Sequence, residues 1–160
     1  MSTKSTSYNF PIARAWHLLD AGEDSFGRIA TRASHLLQGK HKPSFSSQAD
    51  CGDFVVVANI KNLRVSRNTK WKGKEYFRYS GYPGGLRKRT LLEMYEKDPK
   101  EIMRLAVFSM LPKNKLRARR MRRLKLFLSE KEGKELVAAM RKKKKGTTKS
   151  EKQENGQPEK

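Results

Sequence analysis

The chain has 160 residues, enough for one domain of ordinary size with a tail. Its 36% hydrophobic content allows one modest core, while 37 Lys and Arg against 16 Asp and Glu leave a formal charge of +21. A body with that excess needs a polyanion to screen it; no run approaches the roughly 18 apolar residues of a spanning helix, and the lone Cys51 excludes an internal disulfide and favours a reducing compartment.

In chain order, the first segment has Lys4, Arg14, several Ser and Thr and no acid before Asp20, but it lacks the apolar stretch of a secretory signal. As an organellar presequence it is poor, being short of Arg and containing Pro11. Trp16 to Asp20 reads as a short strand and Ala21 to Gly27 as the following loop. Over Ser25 to Leu37 the apolar residues recur at helical spacing, with Gly39 placed to cap the helix. Phe54-Val55-Val56-Val57-Ala58 is a continuous β-branched run, the mark of a strand buried on both faces of a parallel sheet. Leu63 to Val65 is expected as another short strand, and Glu75 to Tyr79 as an extended segment before a loop. Thr90 and Glu93 form a capping box for a helix to about Lys97. Pro99 starts the next helix and Pro112 ends it. Asn114 is expected to cap a short helix, Leu124 to Leu128 to form a last strand, and Lys131 to Met140 a helix. Residues 142–160 carry no aliphatic or aromatic side chain and read as disordered in isolation. No internal repeat is visible. The order of elements predicts a small α/β domain with a mostly parallel sheet.

Catalytic constellations do not emerge from spacing. Gly22 to Ile29 has the two glycines of a phosphate-binding loop, but Arg28 and Ile29 stand where Lys and Ser or Thr are needed, and Glu23 and Asp24 would repel phosphate. The plain reading is a tight turn between strand and helix. His17, His35 and His41 have no metal-ligand spacing, and Cys51 has no partner at C-x-x-C spacing. Cys51 reads as a small buried residue at a strand entry.

The basic clusters are the informative feature. Lys113, Lys115, Arg117, Arg119, Arg120, Arg122, Arg123 and Lys125 form a run without one acid. A solvated helix face would interleave Glu with Lys, so this run points to a polyphosphate; Arg also suits bidentate phosphate contacts. Arg119, Arg120, Arg122 and Arg123 are all expected to be exposed. A second cluster mixes cations with aromatics: Arg67, Lys70, Trp71, Lys72, Lys74, Tyr76, Phe77, Arg78 and Tyr79, then Gly81, Gly84, Gly85 and Arg87-Lys88-Arg89. Aromatic faces stack on unpaired bases while cations hold the backbone. One of Tyr76 and Phe77 must pack inward, and Phe77 is the expected one. Lys40-His41-Lys42 either meets RNA or complements the dipole of the preceding helix. The Lys142 to Lys145 run would bind any polyanion.

These stretches resemble the family of large-subunit ribosomal protein thirteen. The matching pieces are Ser25-Phe26-Gly27-Arg28-Ile29-Ala30, Gly39-Lys40-His41-Lys42, Asp50-Cys51-Gly52-Asp53, Tyr79-Ser80-Gly81-Tyr82-Pro83-Gly84-Gly85, Met110-Leu111-Pro112-Lys113-Asn114-Lys115-Leu116 and Arg123-Leu124-Lys125. They span about Trp16 to Ser129 in order. The resemblance implies a three-layer α/β/α fold with a four-stranded parallel sheet, binding of large-subunit rRNA, and neighbouring ribosomal proteins as partners. It places RNA-facing positions at Lys40, His41, Lys42, the loop 79–89 and Lys113 to Lys125. Ser46-Ser47-Gln48 and Leu116-Arg117-Ala118 depart from the bacterial pattern. The Trp16-His17 opening, Asp50-Cys51-Gly52-Asp53 and Lys113-Asn114-Lys115 look more like mitochondrial members, with a bacterial or plastid ribosome as the alternative.

Together these readings divide the chain into an N-terminal extension 1–15, an α/β domain 16–129, a basic helical extension 130–145 and a tail 146–160. The expected role is a structural rRNA-binding component of the large subunit, not an enzyme, with no cofactor, metal, membrane span or small-molecule substrate. The alternatives are an α/β nucleotide-binding enzyme with a basic tail, or a general basic binder of nucleic acid or membrane surfaces.

Overall fold

A computed structural model of the chain describes residues 13–154. Three parallel strands carry the fold: β1 (Trp16–Asp20), β2 (Phe54–Ala58) and β5 (Leu124–Leu126), in the order β1-β2-β5. Trp16 pairs with Phe54 and Asp20 with Ala58, while Val55 to Val57 pair with Leu124 to Leu126. The valine run is central because all three of its valines are fully buried, as a strand covered on both faces requires.

Alternation along β2 separates the two covering layers. Val55 and Val57 join the main core with Ile29, Ala33 and Leu37 of α1 (Phe26–Gln38) and with Ile102, Met103 and Val107 of α4 (Pro99–Met110). Val56 and Ala58 face the other way, onto α6 (Glu130–Glu154). A Cβ at Gly133 would lie 2.6 Å from the Ala58 Cβ, so the helix seats on the sheet only because that position is bare. Val137, one turn on, is buried on the same side. The result is the three-layer α/β/α arrangement.

The remaining elements form a flank. α2 (Thr69–Gly73) leads into β3 (Glu75–Tyr79), which pairs antiparallel with β4 (Leu86–Thr90) as a separate two-stranded ribbon. α3 (Leu91–Lys97) follows with the expected capping box, the Thr90 hydroxyl accepting from the Glu93 amide at 3.3 Å. α5 (Leu116–Arg122) connects α4 to β5.

Four expectations change here. The parallel sheet has three strands among the described residues, not four, because Leu63-Arg64-Val65 is reduced to a single bridge from Arg64 to Ser25. Ser25 is already the N-cap of α1, so no second rung can form. Arg87 to Arg89, placed in a loop by sequence, form a strand, because Tyr82 to Gly85 closes a turn that folds the chain back on β3. Asn114 does not cap α5, whose N-cap is Lys115 without a side-chain bond. α6 also runs well past Met140 through the Lys-rich stretch, whose Lys, Glu and Gln residues are good helix formers. Residues 1–12 of the N-terminal extension and 155–160 of the tail lie outside the described residues.

Candidate nucleic-acid interface

Helical periodicity sorts the arginine run into two sets. Residues three apart share a helix face, so Arg120 and Arg123 point one way while Arg119 and Arg122 point the other. Arg120 is 2% exposed and Arg123 7%, which corrects the expectation that all four face solvent. The partner is Asp50, just before β2. Arg123 donates both terminal nitrogens to its two carboxylate oxygens at 2.6 Å each, and Arg120 Nε lies 3.7 Å away. Arg14 adds a third guanidinium at 3.9 Å. Burial opposes ionisation of Asp50, but the Arg123 bonds and the charges of Arg123, Arg14 and Arg120 outweigh it and hold the carboxyl below its ordinary value. These two arginines are bound into the fold and cannot reach a phosphate without leaving Asp50 bare.

The outward set is different. Lys113, Lys115, Arg119, Arg122 and Lys125 are exposed, and among the described residues none is in an ion pair. Arg117 lies over the Phe108 ring, 4.0 Å from its centroid, so its planar fork is already stacked. Lys113 shares a hollow with Lys40, Phe45 and Asn114, which joins two basic segments distant in sequence. Arg122 and Lys125 line a second hollow with Lys100 and Arg104, where Asp98 and Glu101 also stand.

The β3–β4 ribbon presents the mixed cluster. Tyr76 turns inward against the core, whereas Phe77 is 59% exposed, so the expected inward residue is corrected by one position. The pleat decides it: Tyr76 shares a face with Arg78, Arg87 and Arg89, and that face lies beside Met94 and Leu105 of α3 and α4. Phe77, Tyr79 and Leu86 share the opposite face with Lys88, whose ammonium sits 5.5 Å over the Phe77 ring. Arg78 stands directly across from Arg87, a like-charge pair that opposes strand pairing. Tyr79 at 63% and Tyr82 at 74% leave their rings open to solvent, with Gly81 between them. Trp71 of α2 is not free in this way; it is half-buried and packs edge-on against Tyr95 at 5.0 Å. Lys70 and Lys72 on either side of it are exposed, Lys70 donating to Ser66 at 3.0 Å.

Lys40, His41 and Lys42 split as well. Lys40 is exposed, but His41 and Lys42 turn onto Asp53, which is 0% exposed. His17 from β1 joins them, so His17 and His41 each place Nε2 at 2.9 Å from Asp53 Oδ2 while Lys42 donates to Oδ1. Burial works against the charge on Asp53, yet the Lys42 and His17 bonds, the Ala15 amide and the Lys42 charge hold its pKa low. Sequence spacing showed none of this, since 17, 41 and 53 lie on three separate segments. The signal available was Asp50-Cys51-Gly52-Asp53 itself: two acids at the mouth of a buried strand need partners.

The turn after β1 is held by its own acids. Its Gly22 amide donates to Asp20 Oδ1 at 2.7 Å, an oxygen that also accepts from Asn59 at 3.0 Å, and Asp24 pairs with Arg32. Cys51 is buried with Sγ 3.5 Å from the Ser44 carbonyl, as a small residue at a strand entry should be. No helix is long and apolar enough to cross a membrane among the described residues.

Exposed cations without acidic partners, carried by an α/β sandwich that pairs Asp50 and Asp53 internally, define a basic docking protein. The family model described as Ribosomal protein L13 matches residues 14–133. The chain is 45% identical over 116 residues to large ribosomal subunit protein uL13 of Aquifex aeolicus, covering 72% of this chain and 80% of that protein. It is 46% identical over 125 residues to the uL13 of Helicobacter hepaticus, covering 78% and 87%, and 44% identical over 129 residues to that of Helicobacter pylori, covering 81% and 90%. The chain belongs to the ribosomal protein L13 family.

Proposed function

We propose that this chain is a structural constituent of the large ribosomal subunit that binds large-subunit rRNA and stabilises it during assembly and translation, in contact with neighbouring ribosomal proteins. The observation that carries the reading is the outward set Lys113, Lys115, Arg119, Arg122 and Lys125, exposed and without acidic partners. The exposed rings and guanidiniums of the β3–β4 ribbon, with Lys40, Lys70 and Lys72, supply further contacts. Arg117 contributes through its stacked fork, while His41, Lys42, Arg120 and Arg123 shape the interface from inside. The relatives named above are bacterial, and the mitochondrial reading of the compartment rests on Trp16-His17, Asp50-Cys51-Gly52-Asp53 and Lys113-Asn114-Lys115. The role is one of binding and support rather than catalysis. Residues 16–129 form its rRNA-docking domain, 130–145 its basic extension and 146–160 its tail. The test is co-sedimentation: the chain should remain on large subunits after a high-salt wash, and recovery only in the free fraction would overturn the reading.

A further inference from the structure

We propose that His17, His41 and Asp53 form a binding site for one divalent transition-metal ion of the zinc class. The three donor atoms, two imidazole nitrogens and one carboxylate oxygen, lie within 4.8 Å of one another. Each imidazole Nε2 is 2.9 Å from the shared Asp53 Oδ2. A zinc ion holds such ligands at about 2.0–2.2 Å, which in a tetrahedral sphere puts them roughly 3.4 Å apart. The donors thus converge on one point, and seating the ion requires each imidazole to move back from the carboxylate by about half an ångström.

The surroundings suit that role. Asp53 is fixed from behind, its Oδ1 accepting from the Ala15 amide at 3.1 Å and from Lys42. Outer contacts of this kind orient a ligating carboxylate. The imidazoles meet nearly edge to face, 5.5 Å between centroids, and each is 31% exposed, so the site opens to solvent on the histidine side. That leaves a fourth position for water. Two nitrogens and a single oxygen are too few hard ligands for calcium or magnesium, and they fit zinc, cobalt or nickel. The Lys42 ammonium partly neutralises the carboxylate, so binding is expected to be moderate and reversible. The ion would tie β1, the segment after α1 and the entry of β2 to one point, holding the 40–42 turn that presents Lys40.

The test uses the full chain, stripped with a chelator and titrated with Co(II) or Zn(II), and does not depend on rRNA. One equivalent of Co(II) should give the visible absorption of a four-coordinate ion. His17→Gln and His41→Gln should each weaken binding at least about tenfold. NMR of the unsubstituted chain supplies an independent readout that needs no variant to fold. Zn(II) should move the His17 and His41 imidazole signals and leave exposed His35, an internal control, in place. No uptake of either ion, unchanged isotherms in both variants, or equal perturbation of all three histidines would each overturn the proposal.

Discussion

Splitting the arginine run by face gives a quantitative test. The double variant Arg119→Gln/Arg122→Gln removes two exposed cations that touch no acid, and Gln keeps helix propensity and most of the side-chain length. Each neutralised phosphate contributes about 0.7–0.9 to the log–log salt dependence of binding, so the slope on rRNA should flatten by roughly 1.4–1.8. Its melting temperature should stay within a degree or two of the unsubstituted chain. The companion Arg120→Gln/Arg123→Gln strips Asp50 of its bidentate partner and leaves a mostly buried carboxylate with Arg14 alone. Breaking a buried pair costs about 3–5 kcal/mol. At about 2–4 °C per kcal/mol for a chain of this size, the transition should fall by roughly 6–20 °C. Circular-dichroism melts and filter binding across a salt series read both quantities. Equal loss of stability in the two variants, or an unchanged slope for the outward pair, would refute the division into clamp and contact.

Asp50 and Asp53 both ionise more readily in the folded chain, so their contribution to stability is complete above the unfolded carboxylate range near about pH 3.9 and is lost as pH falls through their lower folded values. Acid unfolding should steepen in that window, and Asp50→Asn should flatten it; denaturant melts from pH 6 to pH 2 check the sign. Gly52→Ala should destabilise by about 1–3 kcal/mol or more, because its Cβ would sit 1.8 Å from the Leu37 carbonyl oxygen at the end of α1. A thermal scan matching the unsubstituted chain would refute that close approach. Ending the chain at 129 should lower the melting temperature by several degrees, since Gly133 and Val137 no longer cover Val56 and Ala58. Ending it at 145 should leave the transition nearly unchanged, and equal effects of the two truncations would contradict the layer assignment.

Local signals in the sequence carried as far as local physics reaches. The valine run, the capping box at Thr90, Pro99 opening α4 and Gly39 closing α1 each depend on neighbours a few residues away, and each falls where sequence placed it. Gly39 takes the left-handed φ of 81° that closing a helix demands. Long-range pairing was not legible. Asp50 meets Arg123 across 73 residues and Asp53 meets His17 across 36, and no composition or period reports such encounters. The face of Phe77 was missed for a related reason, since alternation shows that two residues differ in exposure but not which one meets the core. Charge, in turn, pointed to a polyanion but did not distinguish cations aimed at it from cations spent on Asp50.

The central strand has a consequence for the order in which the protein can be made. β2 is synthesised before residue 60, but one of its edges stays open until β5 emerges more than sixty residues later, and Asp50 waits as long for its bidentate partner Arg123. A nascent chain stopped before Arg120 therefore exposes an unpaired valine edge and an acid with Arg14 alone at once. Pairings this distant in sequence are slow to close and vulnerable to association while open. The sheet can therefore close only once the segment holding Arg120, Arg123 and β5 is available, and that same segment carries the outward cations of α5.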